Sequence, residues 1–212
     1  MNTTDNSSLE MTLNSALMQK QHLKIDSAGI TLNNRFLPFS EITGIRYGAE
    51  NVNAYGVRAR KNFYIDLNAP KKMQIRLTAS SLKKGAITNA DEQFNQITDC
   101  LWKNYTSKVV NGMIEKLNKG EAVRVGNFEV NRNGIKVFYT KFLFSKKESL
   151  IPFADCLKGL GPGFLFVKSS KDKKIKGQSM FLGTWDLNAL HSLLNYLWDN
   201  GRCFSPEKGE KI

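Results

Sequence analysis

The sequence predicts a mainly β protein with added helix (α+β), arranged as two tandem units joined through a long helix. Three observations carry that expectation. First, one motif occurs twice: Gly29-Ile30-Thr31-Leu32 with Leu37-Pro38-Phe39-Ser40-Glu41-Ile42, then Gly134-Ile135-Lys136-Val137 with Ile151-Pro152-Phe153-Ala154-Asp155. Second, each copy is surrounded by short apolar/polar alternations broken by turn residues, the signature of half-buried strands. Third, each copy ends in helical spacing around Leu-Trp, at Leu101-Trp102 and Leu197-Trp198. The chain is expected to divide into an N-terminal flexible arm (1–20), a first unit (21–104), a helical linker (105–122), a second unit (123–203) and a tail (204–212).

Residues 1–20 are rich in Asn, Ser and Thr. Leu9, Met11, Leu13, Leu17 and Met18 fit a weak amphipathic helix or an arm, and the arm is preferred. From Leu23 the period becomes that of strands. Leu23–Asp26 and Ile30–Leu32 flank the turn Ser27-Ala28-Gly29, and Asn33-Asn34 makes a second turn. Pro38 lacks an amide donor, which places it at a strand start or edge. Ile42–Tyr47 reads as a strand, Gly48–Gly56 as a loop, and Val57 and Tyr64–Leu67 as strand again. Met73–Leu77 alternates strictly. The first unit therefore holds six or seven short antiparallel strands.

A helix follows. Asn89 with Glu92 fits a capping box. Phe94, Ile97 and Leu101 share a face, and helical spacing continues through Val109, Val110, Met113, Ile114 and Leu117 to Asn118-Lys119-Gly120. That length exceeds the ~10–14 residues of an ordinary helix. Its first half should pack on the first sheet and its second half link to, or pack on, the next unit.

The second unit repeats the plan. Val123–Val125 and Phe128–Val130 are strands, Asn133-Gly134 is a hairpin signal, and Phe138–Phe144 is a strand ended by the polar turn Lys146-Lys147-Glu148. Phe164–Val167 and Ser179–Leu182 flank a turn at Ser169–Lys174. Asp186 is placed to cap a last helix whose stripe is Leu187, Leu190, Leu194 and Leu197. The spacing between copies changes from 105 residues at Gly29/Gly134 to 114 at Phe39/Phe153 and 96 at Trp102/Trp198. The second copy thus has a longer early hairpin and a shorter late loop, as expected when loops drift and core elements stay.

Strands followed by one amphipathic helix, twice over, with Gly-Ile … Leu-Pro-Phe-Ser-Glu-Ile and Gly-Ile … Ile-Pro-Phe-Ala-Asp, resemble the bacterial pleckstrin-homology-like domains. The resemblance covers about 21–104 and 123–201. It implies that each unit is a bent antiparallel sheet, or partly open barrel, closed by its C-terminal helix, with Trp102 and Trp198 at the plug ends. That superfold hosts many binding tasks. Its phosphoinositide-binding members place basic residues along the first hairpin with an Arg-x-Arg-like ending. Here Ser27–Gly29 has no cation, Asn131–Gly134 offers only Arg132, and Arg58-Ala59-Arg60-Lys61 comes later in the unit. The sequence therefore argues against specific inositol-lipid recognition.

The formal charge is +12 over 212 residues, with +5 in 21–103 and +7 in 123–212. An excess carried by both units favours anionic partners: a phospholipid surface, nucleic acid or an acidic protein. The strongest local signal is Lys168, Lys171, Lys173, Lys174 and Lys176 around one turn, with Ser169 and Ser170 as further donors. Arg58, Arg60 and Lys61, and Lys71 and Lys72 near Arg76, are fainter candidates in the first unit. The competing explanation is that these cations guard sheet edges against aggregation. Nucleic-acid stacking would use Phe138, Tyr139, Phe142 and Phe144 near Lys141, Lys146 and Lys147, but alternation sends most of these rings to a core.

Catalytic and metal chemistry find little material. Gly159-Leu160-Gly161-Pro162-Gly163 has the composition of a phosphate loop, but no Gly-Lys-Ser/Thr follows and the next element is a strand, so it reads as a turn. His22 and His191 lack ligand spacing, and no CxxC, HExxH or GxSxG occurs. Glu41 and Asp155 fall at matching places and fit turn roles. Cys100 and Cys156 read as small buried hydrophobes and Cys203 completes an odd set, which suggests a reducing, cytoplasmic setting. No secretory signal is visible and no apolar run reaches the ~20 residues of a membrane span. The expectation is a non-catalytic binding module without a cofactor, engaging a protein partner or an anionic membrane surface through basic loops, with nucleic acid as the alternative. A cytoplasmic protein, peripheral to the inner face of the membrane, would suit that role.

Overall fold

Each statement of the duplicated motif becomes the same piece of backbone. In the computed structural model, which describes residues 8–14, 20–54, 57–80, 85–141 and 145–200, Gly29 pairs with Pro38 and Gly134 with Pro152. Each proline leads into a short 3-10 turn, Phe39–Glu41 and Phe153–Asp155. The chain divides into two compact units, Met1–Lys108 and Val109–Ile212.

The first unit runs β1 (Leu9–Asn14), β2 (Lys20–Ile25), β3 (Gly29–Leu32) and β4 (Arg35–Pro38), which form one antiparallel sheet in that order. A second sheet follows from β5 (Gly44–Ala54), β6 (Val57–Asn68) and β7 (Met73–Ser80), and then α1 (Ala86–Leu101). The helix α2 (Ser107–Lys119) leads from Ser107 into the second unit, where β8 (Val123–Val125), β9 (Phe128–Asn131), β10 (Gly134–Lys141) and β11 (Ser145–Pro152) form one antiparallel sheet. A three-stranded sheet of β12 (Cys156–Gly161), β13 (Phe164–Ser169) and β14 (Lys176–Met180) precedes α3 (Leu187–Asp199). The protein is thus mainly β with helices. Among the described residues each unit has a four-stranded and a three-stranded sheet, and none closes into a barrel.

Several elements differ from the sequence expectation for physical reasons. Leu9–Asn14, read as part of an arm, is instead the edge strand β1, paired from Leu9↔Ile25 to Asn14↔Lys20 with Leu13 fully buried. Strand pairing and one deep apolar anchor outweigh its polar composition. The proposed loop at 48–56 is mostly strand, because β5 and β6 continue as a long ribbon past a register shift at Val52/Asn53. Lys146-Lys147-Glu148 is not a turn: it lies in β11, opposite Thr140, Tyr139 and Phe138. Gly159 and Gly161 lie in β12, leaving only Pro162-Gly163 as the turn. Lys20 opens β2, while Leu17, Met18, Phe142, Phe144, Cys203, the tail 204–212 and arm residues 1–7 and 15–19 lie outside the described residues.

The spacing drift between copies has a visible source. Gly29 to Pro38 spans a hairpin of two four-residue strands, whereas Gly134 to Pro152 spans two eight-residue strands. The β5–β6 ribbon of the first unit then exceeds β12–β13 of the second.

Helical residues run from Ala86 to Lys119, interrupted by a π-helical turn at Trp102–Thr106. The start is one turn earlier than Asn89: Gly85, in the left-handed region, precedes Ala86, and the Asn89 amide donates to the Gly85 carbonyl. A wide turn shifts the phase of the apolar stripe about the helix axis. Ile97, Cys100 and Leu101 belong to the first core, while Val110, Met113 and Leu117 belong to the second. Inside the wide turn, Asn104 is buried and donates to the Cys100 carbonyl at 3.0 Å. In α3, Leu187, Leu190, Leu193, Leu194 and Leu197 are all buried. Asp186 sits at its N-cap with φ 56° and makes no side-chain cap bond. Trp198 is buried, but Trp102 is 38% exposed and so does not seal the first core.

Arg132 has a structural task. Its guanidinium donates to the carbonyls of Leu117 and Asn118 and lies against Gly120. It therefore satisfies the orphan acceptors at the C-terminus of α2. Arg132→Ala should lower stability by about 1 kcal/mol, read as a drop in urea midpoint. Arg132→Lys should recover only part, since one ammonium cannot span both carbonyls.

Candidate functional site

The candidate cations of the first unit are not gathered. Lys61 forms an ion pair with Asp91 and lies 5.0 Å from the Phe63 ring centroid. Arg60 is exposed on β6, opposite Val52 and Ser80. Arg58 pairs with Asn53 through its backbone, and its side chain lies outside the described residues. Lys71 and Lys72 are exposed in the β6–β7 turn, and the Lys71 carbonyl accepts a bond from Arg35. Arg76, their neighbour in the sequence reading, is bound to Asp66.

Around Arg76 the outward face of β5–β7 is a closed polar network. Asp66 is only 7% exposed and receives both Arg46 and Arg76. Glu50 accepts from Tyr64 and Asn62, which holds its carboxyl below the usual range and pushes the Tyr64 phenol up. Burial, with Asp99 nearby, raises Tyr47 to about 12.

The second unit gathers what the first does not. A cleft of about 1150 Å³ opens between the β10–β11 hairpin and the start of β14. The hairpin supplies Phe138, Tyr139, Thr140, Lys146, Lys147 and Glu148; the turn and β14 supply Asp172, Lys174, Ile175, Lys176, Gly177 and Gln178. Arg124 and Asn127 line it from β8 and its turn. The two features that most distinguish the second copy, its long early hairpin and its lysine-rich late turn, meet here.

Backbone packing makes the cleft possible. At Gly177, β14 crosses close to β10: a Cβ there would lie 2.9 Å from Val137 Cβ and 3.2 Å from the Phe128 ring. Asn127 ties the neighbouring turn to β14, donating its side-chain amide to the Gln178 carbonyl at 2.8 Å and its backbone amide to Ser179 Oγ at 3.1 Å. The lysine-rich turn is also held. Ser169 Oγ accepts the amides of Lys171 and Asp172, Asp172 Oδ1 accepts the amide of Lys174, and the Ser170 amide donates to the Asp155 carbonyl.

These bonds sort the sequence candidates. Lys174 and Lys176 line the cleft and are exposed. Lys171 is diverted to Asp155, at 2.9 Å, which gives that acid the turn role expected of it. Lys173 is exposed at the turn tip, and Lys168 stands on the outward face of β13, 6.0 Å from the Phe166 ring centroid. Ser169 is buried, and its Oγ accepts the turn's own amides. Arg124, Lys146 and Lys147 are not among the cations that the sequence favours. The signal for Lys146 and Lys147 is a basic pair in the β10–β11 hairpin, whereas Arg124 stands alone in β8, and only the fold brings the three to one cleft.

Cations exceed acids in the lining. Arg124, Lys146, Lys147, Lys174 and Lys176 face Glu148 and Asp172. Glu148 is itself shared with Lys136 at 3.5 Å. Arg124 stacks 4.1 Å above the Phe138 ring, which fixes the guanidinium and occupies that aromatic face. Tyr139 hydroxyl and Ser149 Oγ share a bond at 3.1 Å. The arrangement can neutralise an anion with several point charges and offers hydrogen-bond donors beside it.

The described sulfur and imidazole candidates do not line this cleft. Cys100 and Cys156 are buried, and burial pushes the Cys100 thiol up. His191 is half-buried, edge-on to Phe181, and its pKa is lowered by burial and by Lys158. Among the described residues no group of three or more His, Cys, Asp or Glu could hold a metal, and no helix is long and apolar enough to cross a membrane. The chain matches no protein-family model, no curated protein and no solved structure.

Proposed function

We propose that the protein is a non-catalytic binding module of two pleckstrin-homology-like units, whose second unit engages the phosphate-bearing headgroups of an anionic membrane surface through the basic cleft. Seven strands followed by a helix in each unit, with the duplicated Gly-to-Pro pairing, support the resemblance read from the sequence. The observation that carries the functional reading is the convergence of Lys146 and Lys147 with Lys174 and Lys176 on one open cleft. Exposed ammonium groups on a fixed backbone suit diffuse phosphate recognition, each contributing about 1 kcal/mol near an anionic surface. A nucleobase stack is not favoured, because Arg124 already covers the Phe138 ring.

The test is sedimentation with phosphatidylglycerol–phosphatidylcholine vesicles. Wild-type protein should bind these, bind phosphatidylcholine alone far less, and lose affinity as salt rises. Lys146→Glu with Lys147→Glu should weaken binding by more than about tenfold, whereas Lys71→Glu with Lys72→Glu should leave most of it. A parallel titration with soluble glycerol 1-phosphate, followed by NMR, should shift amides of Lys174 to Gln178 in the wild type and not in the Lys146/Lys147 variant. Equal behaviour of both variants would remove the cleft from the account.

A further inference from the structure

The outward face of the β12–β14 sheet has an unusual composition for a surface. Cross-strand pairing puts Phe164 opposite Met180, and Phe166 opposite Gln178, on the same side of the sheet. The next pair on that side is Lys168 and Lys176, with Leu157 opposite Lys168 on the other flank. Val167 and Leu165, on the inner side, are fully buried, which fixes the outward direction of the alternate residues. Met180 is 64% exposed.

Gly159 and Gly161 explain how the aromatic rings lie. A Cβ at Gly159 would fall 2.3 Å from the Phe166 ring, and one at Gly161 would fall 2.2 Å from the Phe164 ring. Each phenylalanine ring therefore reaches across a glycine on the neighbouring strand, and the two rings sit tilted against each other with centroids 6.4 Å apart. The result is an apolar surface with the exposed Met180 beside it. The glycine run that has the composition of a phosphate loop is a seat for two rings.

The corresponding face of the first unit is of opposite character. There Arg46 and Arg76 share the Asp66 carboxylate, and Glu50 is bonded to Tyr64. The second unit carries no acid at its outward positions on β12–β14, only Lys168 and Lys176 at one end of the apolar surface. Lys176 also lines the cleft, so the charged end of this face is continuous with the proposed headgroup site.

We infer that this face is a membrane-seating surface: Phe164, Phe166 and Met180 enter the interfacial layer of an anionic bilayer while Lys168 and Lys176 meet its phosphates. The inference rests on the cleft reading above for the choice of an anionic membrane, and adds which face turns toward it. Charge complementarity selects this occupant, since a neutral apolar partner gives the two lysines no counter-charge. Apolar side chains at the acyl boundary beside basic ones at the headgroups form the pattern of interfacial binding.

The experiment uses the full chain with phosphatidylglycerol–phosphatidylcholine vesicles at fixed salt. Met180→Asp should reduce partitioning about tenfold, the burial of one methionine being lost, while Met180→Leu should keep it. Because Met180 is exposed, thermal unfolding of both variants should match the wild type. Met180→Asp should also retain the glycerol 1-phosphate shifts, which report the cleft alone. A second measurement uses Met180→Trp, whose added fluorescence should be quenched by vesicles containing brominated phosphatidylglycerol. Unchanged partitioning of Met180→Asp, absence of added quenching, or no vesicle binding by the wild type would each overturn the seating surface. If instead the Lys146/Lys147 variant kept its phosphate shifts while Met180→Asp lost vesicles, the cleft reading would fall and the seating face would stand.

Discussion

Gly134→Ala is expected to destabilise the second unit by about 3 kcal/mol, seen as early loss of hydrogen-exchange protection in β9 and β10. A Cβ at this position would lie 2.2 Å from the Ile151 carbonyl oxygen and 2.9 Å from both Ile151 C and Pro152 Cα. These are backbone atoms of the paired strand, so no side-chain rotation relieves the contact. Ile151 is buried and the Pro152 ring fixes its own φ, which leaves the strand little room to retreat. Gly134 itself has φ 154°, which adds strain for any L side chain. The same construction holds at Gly29, where a Cβ would lie 2.4 Å from the Leu37 carbonyl oxygen. Gly112→Ala is the opposite control. It lies in α2 with nothing within 4 Å of its added Cβ, so the change should stabilise by about 0.5–1 kcal/mol. Unchanged exchange in Gly134→Ala would show that β10 and β11 can separate without cost.

Asp66→Ala should cost about 3 kcal/mol in the first unit. Its side chain is 10% exposed and its two oxygens are divided between Arg46 Nε, at 3.0 Å, and Arg76. Removing it leaves two guanidinium groups on one sheet face with no charge between them. Arg76 would keep its bond to the Ile75 carbonyl at 3.0 Å and its place over Tyr64, so the loss should sit at the low end for a buried pair. The exposed pair of Lys24 and Asp26 gives the comparison: Lys24→Ala should change stability by less than about 0.5 kcal/mol. Urea titration of both variants, with the first unit followed by exchange in β6, separates the two outcomes. Equal effects would mean that burial adds nothing to the Asp66 network.

Elements with a sustained period were legible in the sequence. Met73–Ser80 alternates in the structure as its residues do, and the α3 leucines occupy the predicted face. What failed were segments whose state is set by the strand they pair with rather than by their own composition. Leu9–Asn14 has the composition of an arm and becomes a strand because β2 offers it a ladder. Lys146–Glu148 has the composition of a turn, yet a long hairpin keeps such residues in strand by pairing them one by one. At the site, Lys174 and Lys176 were legible as a basic cluster. Lys171 in the same cluster is spent on Asp155, a residue far enough away in sequence that no local pattern could pair them.

By itself the sequence determined the duplication, the mainly β character with helices, and the excess of positive charge, because each is written in local period, repeated motif or composition. Only the tertiary structure decided which cations act together. Crossing of β14 over β10 at Gly177 brings a basic hairpin to a basic turn, and the ion pairs of Lys61, Lys171 and Arg76 withdraw other candidates. Coulomb interactions depend on distances in space, which the order of residues does not specify. The Gly-to-Pro motif lies between the two cases. Its recurrence was plain in the sequence, but its reason, a glycine with no room for a Cβ against the strand leading into a proline turn, is visible only once the strands are paired.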